Sequence, residues 1–301
     1  MKRKKGIAVS IVLVLLFIGG CNAGTLSDSL DKKTKETAEY LMEKSPSPGI
    51  GPVGGDWTVK GIAESGQNGI SEYMQIYYDN VRAKVKSSKG EIHDAYYSDY
   101  ARVVIGLESI GKDATDVEGY DLTNPLNEYD ELTEQGCNAV SYALVAANVA
   151  GVELKQEKAY VSFLISELEN LLSIEENSVN DYVSMALLGL SFYQEEESVS
   201  EVIGKGILYL SKYQNDDGSM GNCESTAEAI VALSQLGIDV FEDDRFVKNK
   251  NSLGESIMEY EVGEGAFSHT EEKKKENLMA SEKAMLALDS IKKQQEGQKL
   301  Y

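Results

Sequence analysis

Self-similarity constrains this chain more than any other feature, because a period of about 20–50 residues forces an architecture in which one supersecondary unit stacks on the next. Residues 100–111, 141–151, 226–237 and 280–291 share one helical pattern, and residues 57–66 and 182–193 are weaker copies of it. Each copy is anchored by a small residue followed by an apolar or small one. The anchors are Gly61-Ile62, Gly106-Leu107, Ala146-Ala147, Gly189-Leu190, Ala232-Leu233 and Ala287-Leu288. Successive anchors lie 45, 40, 43, 43 and 55 residues apart. Beyond four of them stand Gly66, Gly111, Gly151 and Gly237. A glycine just past the last periodic residue reads as a left-handed helix C-cap.

Longer and more polar amphipathic stretches fall between the copies, near 30–44, 71–87, 125–135, 155–173, 198–213 and 244–260. A helix apolar nearly all round is buried, whereas one with a charged face lies on the surface. Six apolar helices alternating with six polar ones predict an all-α fold, an α/α toroid with six inner and six outer helices. The small anchors would let the inner helices approach closely. An open solenoid of helix pairs is the alternative, but it would not need its inner set to be so uniformly apolar. The length of 301 residues and 42% hydrophobic content suffice for such a core and exclude disorder throughout.

The first 20 residues read differently. Lys2, Arg3, Lys4 and Lys5 precede a 12-residue apolar run, 7–18, then Gly19, Gly20 and Cys21. A spanning helix needs about 20 apolar residues, so a basic segment, a short apolar run and small residues make a secretory signal. Ile18-Gly19-Gly20-Cys21 resembles the lipobox of bacterial lipoproteins. That resemblance implies cleavage before Cys21, a diacylglycerol thioether on its sulfur, and attachment to the outer face of the membrane by acyl chains such as palmitate. Two acyl chains suffice for stable anchoring. The expected organisation is a signal peptide at 1–20, a linker at 21–29, the repeat domain at 30–293 and a polar tail at 294–301. The formal charge of −21 becomes four units more negative once the leader leaves. Nucleic acid is therefore excluded as a partner, since that binding is driven by Lys and Arg.

A second pattern joins outer to inner helix. Lys205, Gly206, Tyr209, Gln214, Gly218 and Met220 resemble the QW motif of the squalene cyclase and protein prenyltransferase superfamily, with Met220 where that motif has Trp. Degenerate echoes are Gly55-Asp56-Trp57, Gly90-Glu91-Ile92 and Gly265-Ala266-Phe267. Residues 97–138, and the loop 111–122 in particular, look like secreted clostridial prenyltransferase-repeat lipoproteins. The resemblance implies a toroid in which glycine turns the chain and the bulky residue packs the joint. It does not carry an activity, because the superfamily holds enzymes, binding proteins and thioester domains.

The residues that such activities require are not matched. The acidic cyclase motif has only Asn215-Asp216-Asp217-Gly218 as a counterpart, where turn geometry accounts for Asp and Gly. The zinc ligands of prenyltransferases have no counterpart, with His93 and His269 lacking metal-ligand spacing. A thioester needs Gln three residues after Cys; Cys137 is followed by Val140 and Cys223 by Thr226 at that distance. No cofactor or metal is expected. Cys137 and Cys223 stand nine residues before Ala146 and Ala232, on next-but-one inner helices. Such helices lie roughly 14–17 Å apart, twice-removed neighbours at about 8–10 Å spacing. A disulfide needs Cα atoms within about 7 Å, so both thiols are expected free and buried.

The same repeat position marks a rim where inner-helix N-termini converge. Tyr97, Asp99, Asn138, Asp181, Tyr182 and Glu224 fall there, and Trp57 is the only tryptophan. As single residues, Asp and Asn read as N-caps and Trp57 as packing at the joint. Together, convergent polar groups and tyrosines describe a ligand site. The expectation is a lipoprotein that binds without catalysis. Its guest would be a small, partly apolar molecule or an envelope protein; a corrinoid-like ligand would need a separate β-domain. An isoprenoid-acting enzyme and a purely structural surface module are the alternatives. Cys21→Ala is expected to move the protein from the membrane fraction to the soluble fraction, and unchanged partitioning would remove lipidation from this reading.

Overall fold

The computed structural model describes residues 23–93, 96–272 and 274–301. Cys21 and the expected signal peptide at 1–20 lie outside the described residues. The described chain is all-α in class, 63% helix with a few short strands. Its helices are α1 (Ala23–Lys44), α2 (Asp56–Glu64), α3 (Ser71–Ser88), α4 (Ser98–Ser109), α5 (Tyr129–Glu134) and α6 (Cys137–Ala150). Then follow α7 (Glu157–Leu172), α8 (Asn180–Leu190), α9 (Glu197–Tyr213), α10 (Cys223–Gln235), α11 (Leu253–Ser256) and α12 (Leu278–Gln295).

All six repeat copies are helices: α2, α4, α6, α8, α10 and α12. Their packing runs in order. α2 packs on α4, α4 on α6, α6 on α8, α8 on α10, α10 on α12, and α12 packs back on α2. The second member of every anchor is buried, as are Ala146, Ala232 and Ala287. At Gly189 the physical reason is direct: a β-carbon there would stand 2.9 Å from the Ser141 Cα on α6 and 2.9 Å from Leu164 on α7. At Gly61 it would meet the Met285 side chain of α12. The cap glycines Gly66, Gly111, Gly151 and Gly237 all have positive φ, between 64° and 82°. Three of these turns close with the same long backbone bond to the anchor's second residue: Lys112 to Leu107, Val152 to Ala147, and Ile238 to Leu233. Anchor and cap are thus one motif, because the bond that ends the helix starts from the residue that packs it.

The six helices begin at one end of the molecule, and contacts link each start to the next. Arg102 Nε on α4 donates to Asp56 Oδ2 on α2 at 2.8 Å. The Ser98 amide donates to Gln135, just before α6. Cys137 Sγ on α6 donates to the Tyr182 carbonyl on α8 at 3.6 Å. Asp181 on α8 bonds Ser225 on α10. Cys223 Sγ on α10 donates to the Ala280 carbonyl on α12 at 3.6 Å. Thr58 on α2 donates to Glu282 on α12. Both cysteines are free and buried. Burial pushes the Cys137 thiol up to about 12 and the Cys223 thiol well up, so neither is a reactive thiolate.

Four boundaries differ from expectation. The stretch read as a linker is helical from Ala23. The 125–135 stretch is a 3-10 turn, Asn124–Asn127, followed by α5; Pro125 starts the turn because its missing N–H is no loss there. The 244–260 stretch is not one helix. A 3-10 turn (Asp244–Phe246) leads into an antiparallel hairpin of β1 (Val247–Lys248) and β2 (Asn251–Ser252), then α11 and a 3-10 turn (Ile257–Tyr260). Asn249 and Lys250 both take positive φ, which no helix tolerates, and Ser252 starts α11 afresh with a capping box to Glu255. A second hairpin, β3 (Glu261–Gly263) with β4 (Ala266–Phe267), precedes α12. Finally, the tail is not wholly solvated: Leu300 is buried.

Residues 214–220 form the turn between α9 and α10. Gln214 is buried and its Nε2 donates to the carbonyls of Gly218 (2.8 Å) and Phe246 (3.0 Å). Gly218 has φ +87° with the Asn251 and Ser252 backbone against it, and Met220 is buried. Asp217 accepts from the Ser219 amide at 2.8 Å, which is its turn role. Gly189→Ala is expected to cost about 1–3 kcal/mol by overpacking. Gly111→Ala, with open space around its β-position, should cost about 1 kcal/mol for the left-handed backbone alone. Denaturant titration checks both; wild-type stability for Gly189→Ala would show that close approach at α6 is not required.

Candidate functional site

Side chains from non-adjacent helices meet between the six. The Trp57 (α2) and Tyr142 (α6) rings pack with centroids 5.0 Å apart and planes tilted by 51°. The Tyr142 hydroxyl donates to Glu228 Oε2 on α10 at 3.2 Å. Lys283 on α12 donates to Glu228 Oε1, and its Nζ lies 5.0 Å from the Trp57 ring centroid. A part-buried ammonium is thus held between a carboxylate and an indole face, each supplying negative potential. Burial works against the charged lysine, but the Glu228 carboxylate and its hydrogen bond outweigh it and hold the Lys283 pKa above its ordinary value. Burial and the same carboxylate push the Tyr142 phenol well up, so it stays a donor.

Acidic groups surround this centre. Burial raises the Asp181 pKa, with nearby Glu228 adding and the Ser225 hydrogen bond opposing. Burial likewise raises the Glu282 pKa, against hydrogen bonds from Thr58 and the Gly54 amide (2.7 Å). Asp56 is fully buried and accepts from Arg102, from the Tyr77 hydroxyl (2.6 Å) and from the Gly51 amide (3.1 Å). Burial still raises its pKa, with the Arg102 guanidinium pulling the other way. Arg102 also donates to Asp99 at 2.9 Å.

The predicted rim residues divide. Trp57 and Asp181 reach the Lys283–Glu228 centre. Asp99 is engaged by Arg102, and Glu224 lies 2.7 Å from Nδ1 of His269. Asn138 is exposed. Tyr97 is half-buried and lines a cleft of about 240 Å³ with Glu91, His93, Tyr100, Asn124 and Glu128. Asp99, Asp181 and Glu224 are not N-caps; they stand inside the first turn, where a carboxylate favours the helix dipole. Among the six repeat helices the side-chain caps are Asn222 and Asn277, which accept from the amides of Ser225 and Ala280. Tyr182 is half exposed, and it has company. The exposed large apolar side chains among the described residues are Val53 (40%), Tyr96 (57%), Tyr182 (50%), Met279 (45%) and Leu208 (62%). All except Leu208 stand at the starts of α2, α4, α8 and α12, on the shared end.

Sequence reasoning missed Tyr142, Glu228, Lys283, Asp56 and Arg102. Part of the signal was present: each is a polar or charged residue on one of the six repeat helices, and such a group must find a partner where the helix is buried. No family model matches the chain, and no curated protein matches it. Lys283→Met strands the Glu228 carboxylate in the interior and is expected to cost about 3–5 kcal/mol. Adding Glu228→Gln should recover most of that loss in a denaturation cycle; an additive double variant would mean that the two residues do not form a pair.

Proposed function

We propose that this chain is a lipid-anchored extracytoplasmic binding protein, folded as an α/α toroid, that docks a partner protein on the face where its six inner helices begin. The toroid reading is supported by the packing succession that returns from α12 to α2 and by side chains of α2, α6 and α10 that meet between the helices. The observation that carries the docking reading is the concentration of exposed apolar side chains: Val53, Tyr96, Tyr182 and Met279 share one end. Exposed apolar residues are ordinary when scattered and mark an interface when gathered. Asp181, Glu224 and Asn138 sit among them, so the fitting partner presents basic and apolar side chains. A protein fits better than a small apolar or corrinoid-like guest, because Trp57, Tyr142 and Lys283 fill the space immediately beneath.

The proposed lipid on Cys21 fits the same orientation. Asp31, early in α1, pairs with Lys292 at the far end of α12 at 2.8 Å, and Lys44 pairs with Glu276 just before α12. α1 therefore runs antiparallel to α12 and starts at the end where the inner helices finish. Cys21 is two residues before Ala23, a reach of at most about 7 Å. A lipid on that cysteine would set the membrane at the finishing end and leave the apolar face turned outward. A photo-crosslinking residue placed at Tyr182 or Met279 in the full-length lipoprotein, in intact cells, is expected to give a discrete protein adduct, with none from position 208. Adducts from position 208 alone, or from none of the three, would count against docking at this face.

A further inference from the structure

We infer that the cleft beside the start of α4 is a guanidinium socket, filled by an arginine side chain of the docking partner. The source of the arginine rests on the docking reading; the socket itself does not. The cleft holds about 240 Å³. That is less than the roughly 300–1,000 Å³ of a pocket for a drug-sized ligand, and it suits a single side chain. One wall is the turn from α3 to α4, with Glu91 and His93; the other is the 3-10 turn at Asn124–Asn127 with Glu128 after it. Tyr97 and Tyr100 line the space at the start of α4, with ring centroids 6.2 Å apart and planes tilted by 35°. Both walls are pinned. Tyr100 is buried, and its hydroxyl accepts from the Ile92 amide at 3.1 Å and donates to the Gly90 carbonyl at 3.4 Å. The Leu126 carbonyl of the opposite turn accepts from the Tyr160 hydroxyl of α7 at 2.9 Å. The His93 ring packs on Tyr96 at 4.9 Å, so the cleft is continuous with an exposed ring of the docking face.

The charges of the cleft point to a cation. Glu91 and Glu128 are both exposed, one on each wall. Among the described residues no lysine or arginine lines the cleft. The arginines of the adjoining helices are held elsewhere: Arg82 of α3 pairs with Glu118, and Arg102 of α4 with Asp56 and Asp99. Glu91 also reaches the floor. Burial raises the Tyr100 pKa, with the Ile92 and His93 backbone bonds opposing and the Glu91 carboxylate adding to it. A cation entering here meets carboxylate acceptors and tyrosine ring faces together. A guanidinium fits this pairing better than an ammonium. It is planar and weakly hydrated, so it stacks on a ring while its edge donates to carboxylates. The net charge of −21 draws any cation to the surface; the rings and the two walls choose among them.

The test uses the full-length lipoprotein in detergent micelles and saturation-transfer-difference NMR. The probes are N-acetyl-arginine N-methylamide and its citrulline counterpart, in which a neutral urea of similar shape replaces the guanidinium. The arginine probe is expected to bind about tenfold more tightly than the citrulline probe. Glu91→Gln with Glu128→Gln should weaken the arginine probe about tenfold, and Tyr97→Leu about threefold. Glu153→Gln with Glu195→Gln removes the same charge from exposed positions elsewhere and should change binding by less than about twofold. Equal binding of the two probes, no binding of the arginine probe, or equal loss in the two double variants would each overturn the socket. Crosslinking in cells then tests the source. A fall in adduct yield from position 182 or 279 on Glu91→Gln with Glu128→Gln supports a partner arginine in the cleft. Adducts at unchanged yield keep the docking face and overturn the cleft's part in it. Binding of the arginine probe with no adduct from either position supports the socket and overturns the docking reading alone.

Discussion

Six helices close on one another only if each offers its neighbour a surface small enough to approach, and the rest of this structure follows from that constraint. Gly61, Gly106, Ala146, Gly189, Ala232 and Ala287 supply it. Where the neighbour is backbone, at Gly189, a single β-carbon would stand 2.9 Å from the Ser141 Cα of another helix. The neighbouring residue in each anchor then does two jobs. It is buried, and in three repeats its carbonyl accepts the bond that terminates the helix at a left-handed glycine. Packing and helix ends are therefore set together: the six helices start at one level, and three of them are closed by the same bond.

Levelled starts create the chemistry of the interior. Side chains at similar depth on α2, α6, α10 and α12 meet, and the sequence places Trp57, Tyr142, Glu228 and Lys283 there. A charge at such a depth is tolerated only with a partner and hydrogen bonds. Lys283 has a carboxylate and an indole; Asp56 has a guanidinium, a phenol and an amide. The two ends of the molecule then differ in kind. At the starting end, apolar side chains remain exposed above this centre. At the finishing end, Leu300 is buried and its carbonyl accepts from Lys60 on α2.

Much of the fold was legible in the sequence because helices announce themselves by period and by caps. The predicted outer stretches near 71–87, 155–173 and 198–213 match α3, α7 and α9 to within two residues. The 244–260 stretch failed because its composition is compatible with a helix while two consecutive residues, Asn249 and Lys250, take positive φ. Nothing in either side chain requires that conformation. The rim was legible only as a level. Trp57 and Asp181 do converge, but Asn138 and Tyr182 face outward, because a residue's level along a helix is set by sequence spacing while its direction depends on which neighbour the helix packs against.

The sequence by itself determined the count and order of the apolar helices, their caps and the depth at which polar residues enter them, since each of these follows from local spacing and backbone preference. Only the tertiary structure decided which polar residues are partners. Glu228 and Lys283 are 55 residues apart, Tyr142 and Glu228 86 apart, and Lys60 and Leu300 240 apart. No local rule relates positions so distant. Their pairing arises because burial removes water as an alternative partner, leaving each group to be satisfied by whatever the neighbouring helices bring to the same level.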